Sequence, residues 1–371
     1  MRARRAKRVG FRVVAVVLGV LLALGAAELL LRSRILPLPP RLSQALFRCY
    51  GELSYTEPTL RVVLHRPHAE ARCSSHGYDW RHRSDAYGFR NPATWDSTDV
   101  VLIGDSFIYG HGVEEHHTVA HFLREELDAR VTNLGRTAAS FPEYLAYLRN
   151  FALPLEPRVV VVFAFCNDFT DLRGRRTPAQ IRRFLERGEA PEAAVLPLEA
   201  LLATGARQEP PPFWSSLAVV RAAAYVRREL ETPPRPGALG GPAAKEKASA
   251  DAPAPFAEQY APELAYMERA LALMAESTAA AGSQLVLSRI QCQPRMKRMY
   301  RANAPLGAAL DEVARRLQVP FFDPPLAGPD GKALPGTRLA RDGHLSEAGH
   351  RLLARSLAGF LREQGLSVDG R

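Results

Sequence analysis

Apolar residues along this chain follow two rhythms. Five short runs are rich in β-branched and other apolar residues: Val100–Ile103, Arg130–Leu134, Val159–Phe165, Leu285–Ile290 and Val319–Phe322. Runs of this length and composition predict strands buried on both faces. Between them the apolar positions switch to helical spacing. Phe122, Leu123 and Leu127 follow Val119; Leu264, Met267, Leu271 and Met274 form a second set; Leu345, Leu352, Leu353, Leu357 and Phe360 form a third. Strands alternating with helices predict a parallel sheet covered on both sides, the α/β class.

Two segments break the alternation. Residues 41–95 show no sustained period, although SDAYGFRNP (84–92) reads as an ordered turn. Residues 172–256 hold two amphipathic helix candidates, 178–187 and 214–230, and then ETPPRPGALGGPAAKEKASADAPAP. That last stretch is rich in Pro, Gly, Ala and Ser without periodicity, which predicts flexibility at 231–255. Without 172–256 the remaining strands and helices make one α/β domain of ordinary size. We therefore expect a single domain at 96–366 with an insertion, preceded by an extension at 32–95.

A longer apolar stretch lies ahead of both rhythms. Val9–Leu31 reads VGFRVVAVVLGVLLALGAAELLL, with only Arg12 and Glu28 charged. As a helix it spans about 34 Å, against about 30 Å of bilayer hydrocarbon. The tail at 1–12 is basic, so it is expected to stay cytoplasmic while Arg12 snorkels to the headgroups. A cleaved signal peptide is the rival, since Gly25-Ala26-Ala27 offers small residues for cleavage. Leu29, Leu30 and Leu31 carry the apolar stretch past that point, which favours an uncleaved anchor. On either reading, everything after Arg32 lies outside the cytoplasm.

Charge and cysteine content change this picture little. The formal net charge is +10, but Arg2, Arg4, Arg5, Lys7, Arg8 and Arg12 supply six of those charges. No later stretch joins clustered Lys and Arg to interleaved aromatics, so no nucleic-acid partner is expected. Four cysteines in an oxidising compartment allow three disulfide pairings or none. Cys49 and Cys73 share the extension. Cys166 and Cys292 each follow an apolar run and meet if those two strands are neighbours.

Candidate chemistry begins where the first strand runs out, in VVLIGDSFIYGHG (100–112). Ser106 there reads as a helix cap, a phosphate cradle or a nucleophile. A P-loop needs a Lys-Ser or Lys-Thr pair and a dinucleotide fingerprint needs G-x-G-x-x-G; neither is present. The elbow of α/β-hydrolases needs a glycine two residues after the serine, also absent. Three other segments place polar groups just past strand ends: VTNLGRTAAS (131–140), Asn167-Asp168 after VVVVFAFC, and RDGHLSEAGH (341–350). In an open parallel sheet these ends form one crevice, where ligands bind.

A serine, an amide, an acid and a histidine drawn in this order from four segments resemble the SGNH hydrolases, the GDSL esterase/lipase family. The resemblance covers about residues 97–171 and 257–366; YGFRNP and the anchor ending ELLLR are similar to its membrane-anchored bacterial branch. It implies a flavodoxin-like three-layer sandwich with a five-stranded parallel sheet, behind one N-terminal transmembrane helix. It also implies Ser106 as nucleophile, His344 as general base and Asp342 as the acid that orients it. The oxyanion hole would combine the Ser106 N–H, the Ala138 N–H and the Asn167 side-chain amide, with Gly135 supporting the loop. Two departures stand out. Ala138 occupies a position usually held by glycine, and Asp342-Gly343-His344 is one residue shorter than the common Asp-x-x-His.

No metal and no cofactor are expected. His111, His116, His117 and His121 crowd one region without the carboxylate or cysteine support that a metal site wants. Cys73 with His76 is too small a set for zinc. Asp105 and Asp168 read as structural groups bonding loop backbone, and His350 as a packing or surface residue. Arg182, Arg183 and Arg187 on the 178–187 helix read as a solvated face, with a headgroup or anionic-glycan contact as the alternative. The resemblance and the location together imply hydrolysis of O-acyl esters, acetyl among them, on a small molecule, a lipid or an envelope glycan at the periplasmic face of the bacterial inner membrane. The alternatives are acyl transfer to a glycan hydroxyl and a non-catalytic glycan-binding or scaffolding protein on the same fold.

Overall fold

A computed structural model describes residues 2–33, 35–47, 53–208, 213–231, 256–293 and 303–366. Nine strands lie among them. The first four are short: β1 (Ser54–Thr56), β2 (Val63–His65), β3 (Glu70–Ser75) and β4 (Tyr78–Arg83). The other five are β5 (Val100–Gly104), β6 (Val131–Gly135), β7 (Val159–Phe165), β8 (Gln284–Ile290) and β9 (Phe321–Phe322). They form one parallel sheet in the order β6-β5-β7-β8-β9. All residues of β5, β6 and β7 are buried, as expected of runs with no side to show to water.

The helices are α1 (Arg2–Ser33) and α2 (Pro40–Leu46) before the sheet, then α3 (Ser106–Tyr109) and α4 (Val119–Leu127) after β5, and α5 (Phe141–Tyr147) after β6. Between β7 and β8 come α6 (Asp168–Arg175), α7 (Pro178–Arg187), α8 (Leu198–Ala206), α9 (Ala218–Glu231), α10 (Phe256–Gln259) and α11 (Ala261–Ala280); α12 (Asn303–Leu317) precedes β9 and α13 (Glu347–Glu363) follows it. Helices α4 and α13 pack together on one face of the sheet, and α5, α11 and α12 make a second group. This is the predicted three-layer, flavodoxin-like arrangement. The chain leaves β5 for β6 on one side and then crosses to β7 on the other, so the strand order reverses at β5 and a crevice opens beyond its carboxyl end.

Two expectations are corrected. The last strand is shorter than Val319–Phe322, because Pro320 has no N–H to give the ladder; only its carbonyl takes part, accepting from Leu287 N at 3.0 Å. The described residues of 41–95 also form more regular structure than their pattern suggests. β1 pairs antiparallel with β2, β3 pairs with β4, and Leu60, Val62, Leu64 and Trp80 are buried. Strands of three to six residues are too short to show a period.

The chain divides into two compact units. The larger holds the sheet. It also takes in residues 172–208 of the expected insertion, where Ile181, Phe184 and Leu201 join the main core. Arg176 there pairs with the buried Glu192 at 3.0 Å, and Tyr266 donates a hydrogen bond to the same carboxylate. The smaller unit contains α1, α2 and α9. Phe11–Ser33 in α1 is long and apolar enough to cross a membrane, with mean hydropathy 2.6 and no part of it buried. Leu31, Leu38, Leu42, Leu46, Phe47, Ala218 and Ala222 form the core of this unit. Beyond Glu231, the segment expected to be flexible lies outside the described residues.

Candidate active site

Strand β5 delivers Ser106 to the crevice. Asp105, not Ser106, caps α3: its Oδ1 accepts the Phe107 N–H at 2.9 Å. The serine hydroxyl is therefore left for other partners. His344 Nε2 stands 2.8 Å from Ser106 Oγ, and Asp105 Oδ2 lies farther away at 3.4 Å. On the other side of the ring, His344 Nδ1 hydrogen-bonds Asp342 Oδ1. A carboxylate only accepts, so Nδ1 carries the proton and Nε2 keeps a lone pair for the serine O–H.

Gly343 explains how the shorter Asp-x-His spacing works. Its φ of 99° lies where only glycine is at ease, and it turns the chain back so that the His344 carbonyl accepts the Leu339 N–H at 2.8 Å. The two side chains then meet across this tight turn.

Asp342 also binds a residue that the sequence pattern did not assign to the site. His111 Nε2 is 3.1 Å from Asp342 Oδ2, and its ring lies 4.2 Å from the His344 ring and 4.7 Å from Trp80, centroid to centroid. One carboxylate thus bridges two imidazoles. Burial pushes the Asp342 carboxyl up, but the hydrogen bonds from His111 and His344 outweigh it and hold the group far below the usual carboxylate range. His111 is held by the loop that follows α3. Arg90, from the YGFRNP turn, donates to the carbonyls of Gly110, Val113 and Arg81 at 2.8 Å each. Asn91 in the same turn accepts from Asn133 N at 2.8 Å, which ties that turn to β6.

Gly135 ends β6 where α3 crosses it. A Cβ there would stand 2.3 Å from Tyr109 N, so only glycine fits. Three residues on, Ala138 has φ of 58°, the left-handed conformation that its glycine-like position demands. For a residue with a side chain this costs about 1–2 kcal/mol. Arg175 offsets it, donating from Nη2 to the Ala138 carbonyl and from Nη1 to the buried Glu143. Glu143 in turn accepts from Ser140 N at 3.1 Å, closing a capping box at the start of α5.

Asn167 follows β7 directly. Its Nδ2 donates to Asp171 Oδ2 at 2.9 Å, which leaves the second amide hydrogen for another acceptor. Asp171 and Arg175 lie one turn apart on α6, so a single helix steadies both Asn167 and Ala138. The buried Asp168 accepts from Phe165 N at 3.0 Å and from the Tyr144 hydroxyl at 3.2 Å. Burial drives the Asp168 carboxyl well above its ordinary range and lifts Asp105 and Asp171 to about 6. A disulfide joins Cys166 to Cys292 beyond the ends of the neighbouring strands β7 and β8.

The remaining candidates fall elsewhere. His117 and His121 pair with Glu347 and Glu125 at 3.5 and 3.3 Å. Among the described residues, the one set with metal-ligand spacing is His111, Asp342 and His344, with ligand atoms within 4.8 Å of one another. His350 is a packing residue: fully buried, it accepts from Val119 N at 3.2 Å, and burial lowers its imidazole to about 3. Cys73 is disulfide-bonded and Cys49 lies outside the described residues.

No protein-family profile matches this chain, and no curated protein matches it. Similar solved structures include TesA, at 15% identity over 71% of this chain and 98% of the other, with a TM-score of 0.40. An acetylxylan esterase from Geobacillus stearothermophilus, Axe2, is 14% identical over 73% of this chain and 96% of its own, with a TM-score of 0.39. A GDSL-like lipase from Bacteroides thetaiotaomicron is 12% identical over 72% and 88%, with a TM-score of 0.38. Likeness at this level decides no reaction. What the chain can do rests on the geometry of the crevice.

Proposed function

We propose that this chain is a membrane-tethered serine esterase of the SGNH type, acting on O-acyl esters outside the cytoplasm. The observation that carries this reading is the unbroken chain from Ser106 Oγ to His344 Nε2 at 2.8 Å, and from His344 Nδ1 to Asp342. Ser106 Oγ attacks the ester carbonyl as His344 Nε2 takes its proton, and Asp342 stabilises the imidazolium. The carbonyl oxygen, now an anion, is received by the N–H groups of Ser106 and Ala138 and by the free amide hydrogen of Asn167. His344 passes the proton to the departing alcohol, leaving acyl-Ser106. Water, deprotonated by the same imidazole, releases the acid and restores the serine. Asp342, its side chain 4% exposed and held ionised by two imidazoles, suits this role because the cation needs its charge in place before it forms.

The apolar span Phe11–Ser33 of α1 and the basic residues ahead of that span support a tether with the crevice on the extracytoplasmic side. Esters on envelope glycans or lipids are the substrates that such a location offers. The test is covalent labelling. The full chain in detergent micelles should react with a fluorophosphonate probe, and Ser106→Ala should not. Labelling that survives the substitution removes Ser106 as nucleophile. Free acid released from an aryl acetate with no acceptor alcohol present separates hydrolysis from transfer.

A further inference from the structure

Helices α1 and α9 belong to the same compact unit, and they are fastened together near the end of the apolar stretch. Glu28 accepts the N–H groups of Ala218 and Val219 at 3.0 and 2.9 Å, and Arg32 donates to the Ser216 carbonyl at 3.1 Å. The start of α9 therefore stands level with Glu28, about 8 Å of helix rise before Ser33. If α1 spans a bilayer, that level is the headgroup zone.

The side chains displayed there do not suit water. Phe213 and Trp214, in the short turn Phe213–Ser216 before α9, are 77% and 55% exposed. Along α9, Ala218 and Ala222 face the small core of the unit, while Val219, Ala223, Val226 and Leu230 recur at the spacing of one helix face. Val226 and Leu230 are 52% and 81% exposed. Arg227 borders this stripe, ion-paired with Glu231 at 2.7 Å, and Arg228 lies on the opposite face of the helix. An exposed apolar stripe, an arginine beside it, a charged opposite face and a tryptophan at its head make up the composition of a helix that lies in a lipid surface.

We propose that Phe213–Glu231 is an interfacial membrane element. It lies in the headgroup layer on the side where α1 ends, with Phe213, Trp214, Val226 and Leu230 in the acyl boundary, Arg227 at the level of the lipid phosphates and Arg228 toward water. The inference rests on the reading of α1 as a membrane span. Its occupant is the same bilayer, because Glu28 and Arg32 fix the start of α9 at the exit of that span. Its effect is a second hold on the membrane beside the anchor.

The test uses the full chain in vesicles of phosphatidylcholine and phosphatidylglycerol. No described cysteine is free, so a nitroxide can be placed on one new thiol at a time. Val226→Cys and Leu230→Cys report the stripe, Arg228→Cys the opposite polar face and Leu21→Cys the middle of α1. Accessibility to oxygen relative to a water-soluble nickel complex should be severalfold higher at 226 and 230 than at 228. A lipid-exposed label at 21 with nickel-exposed labels at 226 and 230 overturns the interfacial helix alone. Labels at 226 and 230 shielded from both quenchers and broadened by spin–spin coupling mean that a second copy covers the stripe, and also overturn it. A water-exposed label at 21 overturns the anchor, and this inference with it.

Discussion

Ser106, His344 and Asp342 are held largely by one another, whereas Ala138 and Asn167 are held by a helix outside the sequence motifs. On the first side, the carboxylate that orients His344 also binds His111, and both contacts arise within one turn and one loop. On the second, α6 reaches back through Asp171 to Asn167 and through Arg175 to the Ala138 carbonyl. The difference teaches that a nucleophile and its base can be specified by short motifs, because the reacting groups position each other. On the proposed mechanism the oxyanion donors meet their acceptor only in the transition state, so the contacts from Asp171 and Arg175 must place them beforehand.

Substitutions on the two sides should therefore differ in size and in what rescues them. His344→Ala should lower kcat by about ten-thousandfold toward a soluble aryl ester, since the other acceptor near Ser106 Oγ, Asp105 Oδ2, is more distant at 3.4 Å. Asn167→Ala should cost about a hundredfold or more in kcat with KM little changed, as expected of a donor used only in the transition state. Arg175→Ala should cost less, about tenfold, and Ala138→Gly in the same chain should recover part of the loss because glycine takes φ of 58° without strain. An equal loss with and without that glycine would show that Arg175 does not act through the backbone of Ala138. His111→Gln, which can still donate to Asp342, should keep more activity than His111→Leu.

The smallest effect concerns stability on the motif side. His350 has a folded pKa of about 3, below the unfolded value of 6.5. The unfolded chain thus binds the extra proton between those values. The stability this group contributes is complete above pH 6.5 and declines as pH falls toward 3, by up to about 1.4 kcal/mol per unit. His350→Gln should flatten that slope in denaturant unfolding of the full chain at pH 7, 6 and 5. An unchanged slope would mean that His350 is not buried as a neutral ring.

The same contrast governs what could be read from the sequence. Runs such as VVVVFAF declare a buried strand because every position obeys one rule, and Gly-Asp-Ser and Asp-Gly-His mark their sites because each motif is contiguous. His111 was visible only as one of four nearby histidines. What distinguishes it is its place between Gly110 and Gly112 on the loop that Arg90 gathers, and the pattern alone does not say where such a loop points. Arg175 is one of several arginines in an arginine-rich stretch, and its partner Glu143 lies 32 residues away. Ala138 read as a departure; its backbone nevertheless adopts the conformation of the residue it replaces, at a cost offset from α6.

The bridge between Cys166 and Cys292 ties the amide at position 167 to the thiol chemistry of the cell that makes the protein. Chain produced in a reducing cytosol would reach the bench with that cross-link open and the residue beside it less firmly held, so a weak preparation could reflect where it was made and not what it encodes.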